Sequence, residues 1–444
     1  MIKLNKIGRW VQFADPIDVR LEKVIDKTLS YTKAGSQFLP NPLWGQVHLY
    51  NKSKRAFPVG LFSLIIPVLN SWCNQYEDEW QFSIPKQYTQ LQVQLSSLRD
   101  YQIEAFNAFW KNQGGLISLP TSAGKTRITE RIIASFPEGK ILVVCPTKEI
   151  IRQWKEELGC MIEYKDIRVA TYQKLYREVA EDKEPFKQYN LVVWDECHHC
   201  SANSLYKIGL ACSNAIMLGL TATEKRMDGA EMKIQAILGD IIYKVSIQDL
   251  VKAGYIVQGE VHIINVPKYK ARLDEDYRDI YNNAIVNNNE RNNKIVNIAF
   301  EEYINGTIMI MCKQIKQAQI IYNMLKKDAI EEYRDRIIYV DGKSKDRGKK
   351  FQDILDGKYD IIVCTKVYGE GISIPRLKTM ILASGGKSST EVIQTTGRML
   401  RLFLDKEVAK IYDFRDSGIL GRHFRERIKI YKENGFEVVE NENV

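Results

Sequence analysis

The segment Leu119-Pro120-Thr121-Ser122-Ala123-Gly124-Lys125-Thr126 follows the apolar run Leu116–Leu119 and precedes a stretch of helical spacing, Thr126–Phe136. Strand, loop and helix in that order form the setting of a phosphate-binding loop. Backbone N–H groups converge on an anion, a lysine reaches the terminal phosphates and a hydroxyl serves Mg²⁺. Gly124 lets the backbone approach closely, Lys125 supplies the charge and Thr126 the Mg²⁺ ligand. The strict pattern has glycine where Leu119 stands.

Further along, Val192-Val193-Trp194-Asp195-Glu196-Cys197-His198-His199 ends a buried run on two adjacent carboxylates. Asp195 is suited to hold Mg²⁺ through water, and Glu196 to polarise an attacking water. Either carboxylate alone could be surface charge; the pairing with Lys125 in one sheet is far more specific. Cys197-His198-His199-Cys200 resembles half of a zinc site. A structural zinc needs four ligands from separated segments, and no second paired motif exists, so no zinc is expected. His198 is expected to contact motifs across the cleft, while the cysteines pack.

A third segment, Gln394-Thr395-Thr396-Gly397-Arg398-Met399-Leu400-Arg401, places two arginines three apart in a stretch read as a helix, Thr390–Arg401. Phosphoryl transfer needs cations on the developing charge, and cations from a second domain make hydrolysis depend on closure. An exposed basic helix would look the same.

The chain has 444 residues, 45% hydrophobic and 27% charged, with net charge +9. That excludes a mostly disordered chain, implies two to four domains and mildly favours a polyanionic partner. The longest apolar run, Leu61–Leu69, is broken by Pro67, so no membrane span is expected. Lys3, Lys6 and Arg9 precede no apolar stretch, so no secretory signal is expected. The eight cysteines are scattered, several inside apolar runs as reduced core cysteines are, and read as those of a cytoplasmic protein without a disulfide framework.

Short apolar runs recur in two groups. The first comprises Leu116–Leu119, Ile141–Cys145, Leu191–Trp194 and Ile216–Leu220. The second comprises Thr307–Met311, Ile337–Val340, Ile361–Cys364, Met380–Ala383 and Val408–Tyr412. Helical stretches alternate with them: Glu149–Leu158, Asn292–Ile304 and Gln314–Lys327 are examples. Two doubly wound α/β domains with parallel sheets are expected, joined near Leu250–Gly259. Residues 1–95 break this rhythm and read as a small α/β module; Glu437–Val444 read as a frayed acidic end.

These segments fall in the order of the superfamily 2 helicase motifs, and the chain resembles that family over residues 98–415. Leu98 to Gln102 is similar to the Q-motif, residues 119–126 to motif I, Cys145-Pro146-Thr147-Lys148 to motif Ia and Ala170-Thr171-Tyr172-Gln173 to motif Ib. Asp195-Glu196-Cys197-His198 is similar to the DExH form of motif II. Gly219 to Thr223, with Arg226 and Asp228, is similar to motif III, Thr365–Pro375 to motif V and Gln394–Arg401 to motif VI. The Pro-Thr-Ser-Ala-Gly-Lys loop and Gly371-Ile372-Ser373 further resemble the phage UvsW-type branch-migration helicases, as do Asn41-Pro42, Trp44-Gly45 and Phe57 to Leu61 near the N-terminus.

The resemblance implies two tandem RecA-like domains of the P-loop NTPase class, 96–252 and 253–415, preceded by a small α/β domain at 1–95 and followed by a helical extension at 416–444. It implies ATP with Mg²⁺ held through Thr126 and Asp195. Arg99 and Gln102 would meet adenine, and Thr121, Ser122, Ala123, Gly124, Lys125 and Thr126 the phosphates, with Gly371 also at the nucleotide. Arg398 and Arg401 would reach the γ-phosphate, while Thr221, Thr223, His198 and Gln394 would couple nucleotide state to lobe movement. Ser373 stands where the DEAD-box branch has aspartate, which leans away from RNA remodelling.

Pro146, Thr147, Thr171 and Tyr172 would line one DNA track, and Lys313, Thr365 and Lys366 the other; small hydroxyls and N–H groups grip backbone without reading sequence. Lys52-Ser53-Lys54-Arg55 and the run Arg422, Arg425, Arg427, Lys429 and Lys432 fit either a duplex grip or plain solvation. Trp44, Phe57, Trp72 and Trp80 read as core. The expected protein is a monomeric ATP-dependent DNA helicase for forks and four-way junctions. The alternatives are a duplex DNA translocase, an ATP-gated sensor of nucleic-acid structure and an RNA helicase.

Overall fold

The computed structural model describes residues 2–33, 35–36, 40–72, 76–78, 90–199, 202–222, 230–272, 274–344, 346–365, 374–385 and 396–441. The chain forms two compact units. One comprises Met1–Pro120 with Gly124–Val245, the other Ser246–Val444 with Thr121–Ala123. The break thus falls after Val245, ahead of the helix Ile247–Lys252, which belongs to the second unit.

In the first unit a six-stranded sheet runs Ile241–Lys244, Gly115–Ser118, Ile216–Thr221, Tyr189–Trp194, Lys140–Cys145, Ile167–Thr171, with every pair parallel. The four strands expected from the apolar runs are its middle four. They are almost wholly buried because helices cover both faces, so every side chain, not every second one, must be apolar. The two outer strands carry charge and alternation, and the apolar-run reading passed over them. Within the six-residue strand Tyr189–Trp194, parallel register sets Trp194 beside Val144 and Gly219.

The N-terminal module packs the helices Val19–Thr28 and Phe62–Trp72 on a four-stranded sheet ordered Ala56–Pro58, Trp10–Phe13, Ile2–Ile7, Tyr76–Asp78. Its core includes Leu4, Phe13, Leu21, Ile25, Phe57 and Ile65. The module is fixed to the large sheet. Arg9, in the first hairpin, donates to the carbonyls of Ala215 and Ile237, and burial pushes its guanidinium down to about 10. Gly60 lies so close to the helix Glu231–Leu238 that a Cβ would sit 2.0 Å from the Gln235 carbonyl oxygen. Phe57 is core as expected, but Trp44 is 71% and Trp72 41% exposed. Trp44 belongs to a 3-10 turn, Pro42–Gly45, that leads into a separate two-stranded ribbon, and Trp72 ends its helix at the rim of a cavity shared with Ile2 and Lys3. Trp80 lies outside the described residues.

The second unit holds a seven-stranded parallel sheet ordered Ile337–Val340, Ile361–Thr365, Thr307–Cys312, Leu377–Leu382, Val408–Arg415, Gln258–Asn265, Glu437–Asn441. The segment read as a weak join ends in the first residues of the strand Gln258–Asn265. The acidic end is not frayed through its length, and the part after residue 416 is not only helical. Helix Gly418–Glu433 returns the chain so that Glu437–Asn441 pairs with Gln258–Asn265 as an edge strand. Charged side chains suit that position, since they discourage further strand addition. No helix among the described residues is long and apolar enough to cross a membrane.

Candidate nucleotide and nucleic-acid site

The phosphate loop is built by local backbone geometry. Ser122 and Gly124 both adopt positive φ, 77° and 76°. Alternating backbone handedness of this kind turns successive N–H groups toward one point, which makes a concavity for anions. Gly124 caps the N-terminus of helix Lys125–Ser135, whose dipole adds positive potential at the same place. A Cβ at Gly124 would lie 2.4 Å from Gln102 Nε2, so a side chain here would displace the end of Gln102 as well as strain the backbone. Gln102 is 3% exposed, and its Oε1 accepts from the Arg99 N–H at 3.0 Å, which closes the start of helix Asp100–Asn112. The Q-motif residues therefore stand directly against the phosphate loop.

Lys125 is 8% exposed. Its ammonium lies 3.0 Å from Glu196 Oε1 and donates to the Leu119 carbonyl at 3.3 Å. Asp195 continues the strand Tyr189–Trp194 and donates its N–H to Val144 O at 3.0 Å. Glu196 has φ 46°, a left-handed turn that swings its carboxylate back toward Lys125. Burial first, and the Glu196 charge second, push the Asp195 carboxyl up to about 6, opposed by the Trp154 indole and Lys125. His198 Nδ1 is 2.8 Å from Thr221 Oγ1 and 3.5 Å from Glu196 Oε2. One pair of side chains thus joins the acidic motif to the end of strand Ile216–Thr221. Thr221 is 1% exposed.

These residues fit a nucleotide with Mg²⁺. One ammonium faces two carboxylates that are half-buried or buried. The Thr121 hydroxyl is buried with no hydrogen-bond partner among the described residues. The Asp195 carboxylate and the Thr126 hydroxyl would hold Mg²⁺, being oxygen donors of the kind it takes beside water and phosphate.

One residue was missed by sequence reading. Trp154, in helix Lys148–Leu158, is 1% exposed and donates its indole N–H to Asp195 Oδ2 at 2.7 Å. It fixes the carboxylate's rotation, together with a backbone hydrogen bond from Glu196. Outer partners of this kind typically carry about 10–100-fold in metal affinity or activity. Trp154→Phe removes the donor and puts a smaller ring in a buried site. The expected result is a Mg²⁺ requirement raised on the order of 10-fold, beyond the modest fall in thermal midpoint that the smaller ring brings. An unaltered Mg²⁺ titration of ATP hydrolysis would refute this.

The first candidate DNA track also lies in this unit. Thr147 caps helix Lys148–Leu158 and Thr171 caps helix Tyr172–Glu181, each hydroxyl accepting a backbone N–H at 3.4 Å. Their strands are neighbours, with Cys145 paired to Thr171, and Gln173 donates to the Pro146 carbonyl at 3.4 Å. Tyr172 is partly buried beside Thr171. In the second unit Lys313 is exposed, its ammonium 5.3 Å above the Tyr281 ring, while Thr365 ends its strand and is only 7% exposed. Thr223, Lys366, Gly371 and Gln394 lie outside the described residues.

Arg398 opens a 3-10 turn, Arg398–Leu400, and Arg401 follows in extended backbone, bridging to Ile256. The expected continuous helix over both arginines is therefore absent from Arg398 onward. Both arginines are half-buried.

Comparison with known proteins agrees with this geometry. Residues 95–226 match the family model "Type III restriction enzyme, res subunit", and residues 290–403 match "Helicase conserved C-terminal domain". The chain is 27% identical over 360 residues to DNA 3'-5' translocase XPB2 of Sulfurisphaera tokodaii, covering 71% of this chain and 80% of that protein. It is 27% identical over 350 residues to the ATP-dependent DNA helicase uvsW of Enterobacteria phage T4, covering 71% and 68%. Among solved structures, a fragment of a putative HsdR subunit of a type I restriction enzyme from Vibrio vulnificus shares the fold, with TM-score 0.58 and 19% identity, covering 90% of this chain and 76% of that one. With the phosphate loop, the Asp195–Glu196 pair and a second parallel-sheet unit all in place, the chain is an ATP-dependent DNA helicase similar to those of superfamily 2, and UvsW-type and XPB-type proteins are among its relatives.

Proposed function

We propose that this ATP-dependent DNA helicase acts on branched DNA, forks and four-way junctions, as a monomer that moves along one strand and displaces or re-pairs the other. The observation that carries the branched preference is the N-terminal module. Arg9 and Gly60 hold it rigidly to the ATP-binding sheet, so its Lys52-Ser53-Lys54-Arg55 loop travels with the motor instead of swinging on a tether. A fixed basic module beside a motor can engage a duplex arm while the track of Pro146, Thr147, Thr171 and Tyr172 holds the translocating strand.

In this reading Lys125 binds the terminal phosphates, Glu196 orients water, and Arg398 and Arg401 meet the charge that develops on the transferred phosphoryl group. Arg99 and Gln102 meet the base, with Gly371 beside the nucleotide. Mg²⁺, held through Thr126 and Asp195, would neutralise phosphate charge. His198 and Thr221, in contact, pass the state of the site to the sheet, together with Thr223 and Gln394. Lys313, Thr365 and Lys366 form the second track.

The match to a restriction-enzyme res subunit favours a second reading, a duplex DNA translocase that does not separate strands. The test is ATP-dependent processing of matched synthetic DNAs: a linear duplex, a three-way fork and a mobile four-way junction. Strong processing of the branched pair with little of the linear duplex is expected. Equal processing of all three removes the branched preference, and DNA-stimulated hydrolysis with no strand separation on any substrate selects the translocase.

A further inference from the structure

Lys406 is 5% exposed, and among the described residues no carboxylate lies within ion-pair distance of it. Its ammonium instead donates to two backbone carbonyls, Leu377 O at 2.6 Å and Met399 O. Leu377 opens the strand Leu377–Leu382; Met399 is the middle residue of the turn Arg398–Leu400. One side chain therefore staples the arginine-bearing turn to the sheet. The other side of the turn is held by the Val257 N–H on Leu400 O at 2.9 Å and by the Ile256–Arg401 bridge. Met399, Leu400 and Thr396 are wholly buried, so the turn is anchored within its own unit.

A buried ammonium without a counter-ion is expensive, and an apolar side chain of similar length fills such a space at no desolvation cost. Burial accordingly pushes the Lys406 ammonium down to about 8, with Lys378 adding to the effect. The lysine does not fit a stabilising role. It fits a geometric one, because three rotatable N–H donors can bind carbonyls on two separate segments at once.

We propose that Lys406 is a positioning residue for hydrolysis: by bonding the Met399 and Leu377 carbonyls it fixes the turn from which Arg398 and Arg401 act. This rests on the reading of those arginines as the cations that meet the transferred phosphoryl group. Cations aimed at a developing charge are effective only when held in place beforehand, and misplacement by about 1 Å can cost on the order of 10²-fold in rate.

The test compares Lys406→Met, Lys406→Arg and Arg398→Ala in the intact chain, reading thermal midpoint, KM for ATP and kcat with saturating forked DNA. Lys406→Met should keep or raise the midpoint, leave KM within about 3-fold and lower kcat on the order of 10²-fold. Lys406→Arg, which keeps a cationic donor, should retain more of kcat. A kcat for Lys406→Met within about 3-fold of the unaltered chain, while Arg398→Ala is impaired, overturns the proposal alone. The same holds if kcat falls only in proportion to folded protein. Should Lys406→Met fail to fold, Lys406→Arg decides: kcat falling at an intact midpoint supports the proposal, and kcat unchanged, or falling only together with the midpoint, overturns it. Full activity of Arg398→Ala overturns the reading of the arginines, and the proposal with it.

Discussion

Lys125→Ala is expected to lower ATP hydrolysis about 10³-fold while leaving the fold intact. The lysine ammonium lies between Glu196 Oε1 and the Leu119 carbonyl, and it faces the concavity made by Ser122 and Gly124. Without it the adjacent carboxylates Asp195 and Glu196 repel each other and any phosphate brought to them. Asp195, already pushed up to about 6, loses one of the groups that keep it ionised. The thermal midpoint should fall modestly, because Glu196 and Asp195 lose their neighbouring cation, a loss that alanine's helix propensity offsets only in part. Phosphate release under saturating DNA, beside a thermal melt, checks this. More than a tenth of the original rate would show that Lys125 is not the phosphate cation.

Asp413→Asn is expected to have the largest effect on stability, about 3–5 kcal/mol for the second unit. Asp413 is wholly buried on strand Val408–Arg415 and accepts from Arg427 Nε and Nη2, both at 2.8 Å, and from the Tyr431 hydroxyl at 2.9 Å. Those partners lie on helix Gly418–Glu433, so the cluster pins that helix, and the edge strand after it, to the sheet. The loss of charge at Asp413 leaves the Arg427 guanidinium, 2% exposed, short of its nearest counter-ion. Urea unfolding followed by circular dichroism measures the loss. Replacing both partners together, Asp413→Leu with Arg427→Met, should recover most of it, since a well-packed apolar pair avoids the desolvation cost. Equal damage from the single and double variants would contradict this account of the cluster.

The strands at the centre of each sheet were legible because burial on both faces forces continuous apolar runs, as in Leu191–Trp194 and Ile361–Cys364. Gln258–Asn265 alternates partly buried with buried positions, and its glycine read as a boundary. Glu437–Asn441 carries the acidic composition of a tail yet pairs with that strand. The candidate site was legible where chemistry is local: Gly124, Lys125, Asp195 and Glu196 announce themselves by spacing. Trp154 does not, because its partner lies 41 residues away, past the end of a strand, and an apolar position on an amphipathic helix reads as core. Lys406 sits between Asp405 and Glu407 and reads as surface charge; only the fold shows that its ammonium is buried against Met399 and Leu377. Arg9 is hidden in the same way, its sequence position giving no sign of the carbonyls at Ala215 and Ile237.

The measurement closest to the central claim is steady-state ATP hydrolysis by the intact chain with and without forked DNA, with Lys125→Ala as control. The expected result is hydrolysis that is slow alone, rises at least about 10-fold with DNA and vanishes in the control, since charge-stabilising groups act only when assembled. Hydrolysis indifferent to DNA, or undiminished in Lys125→Ala, would contradict it.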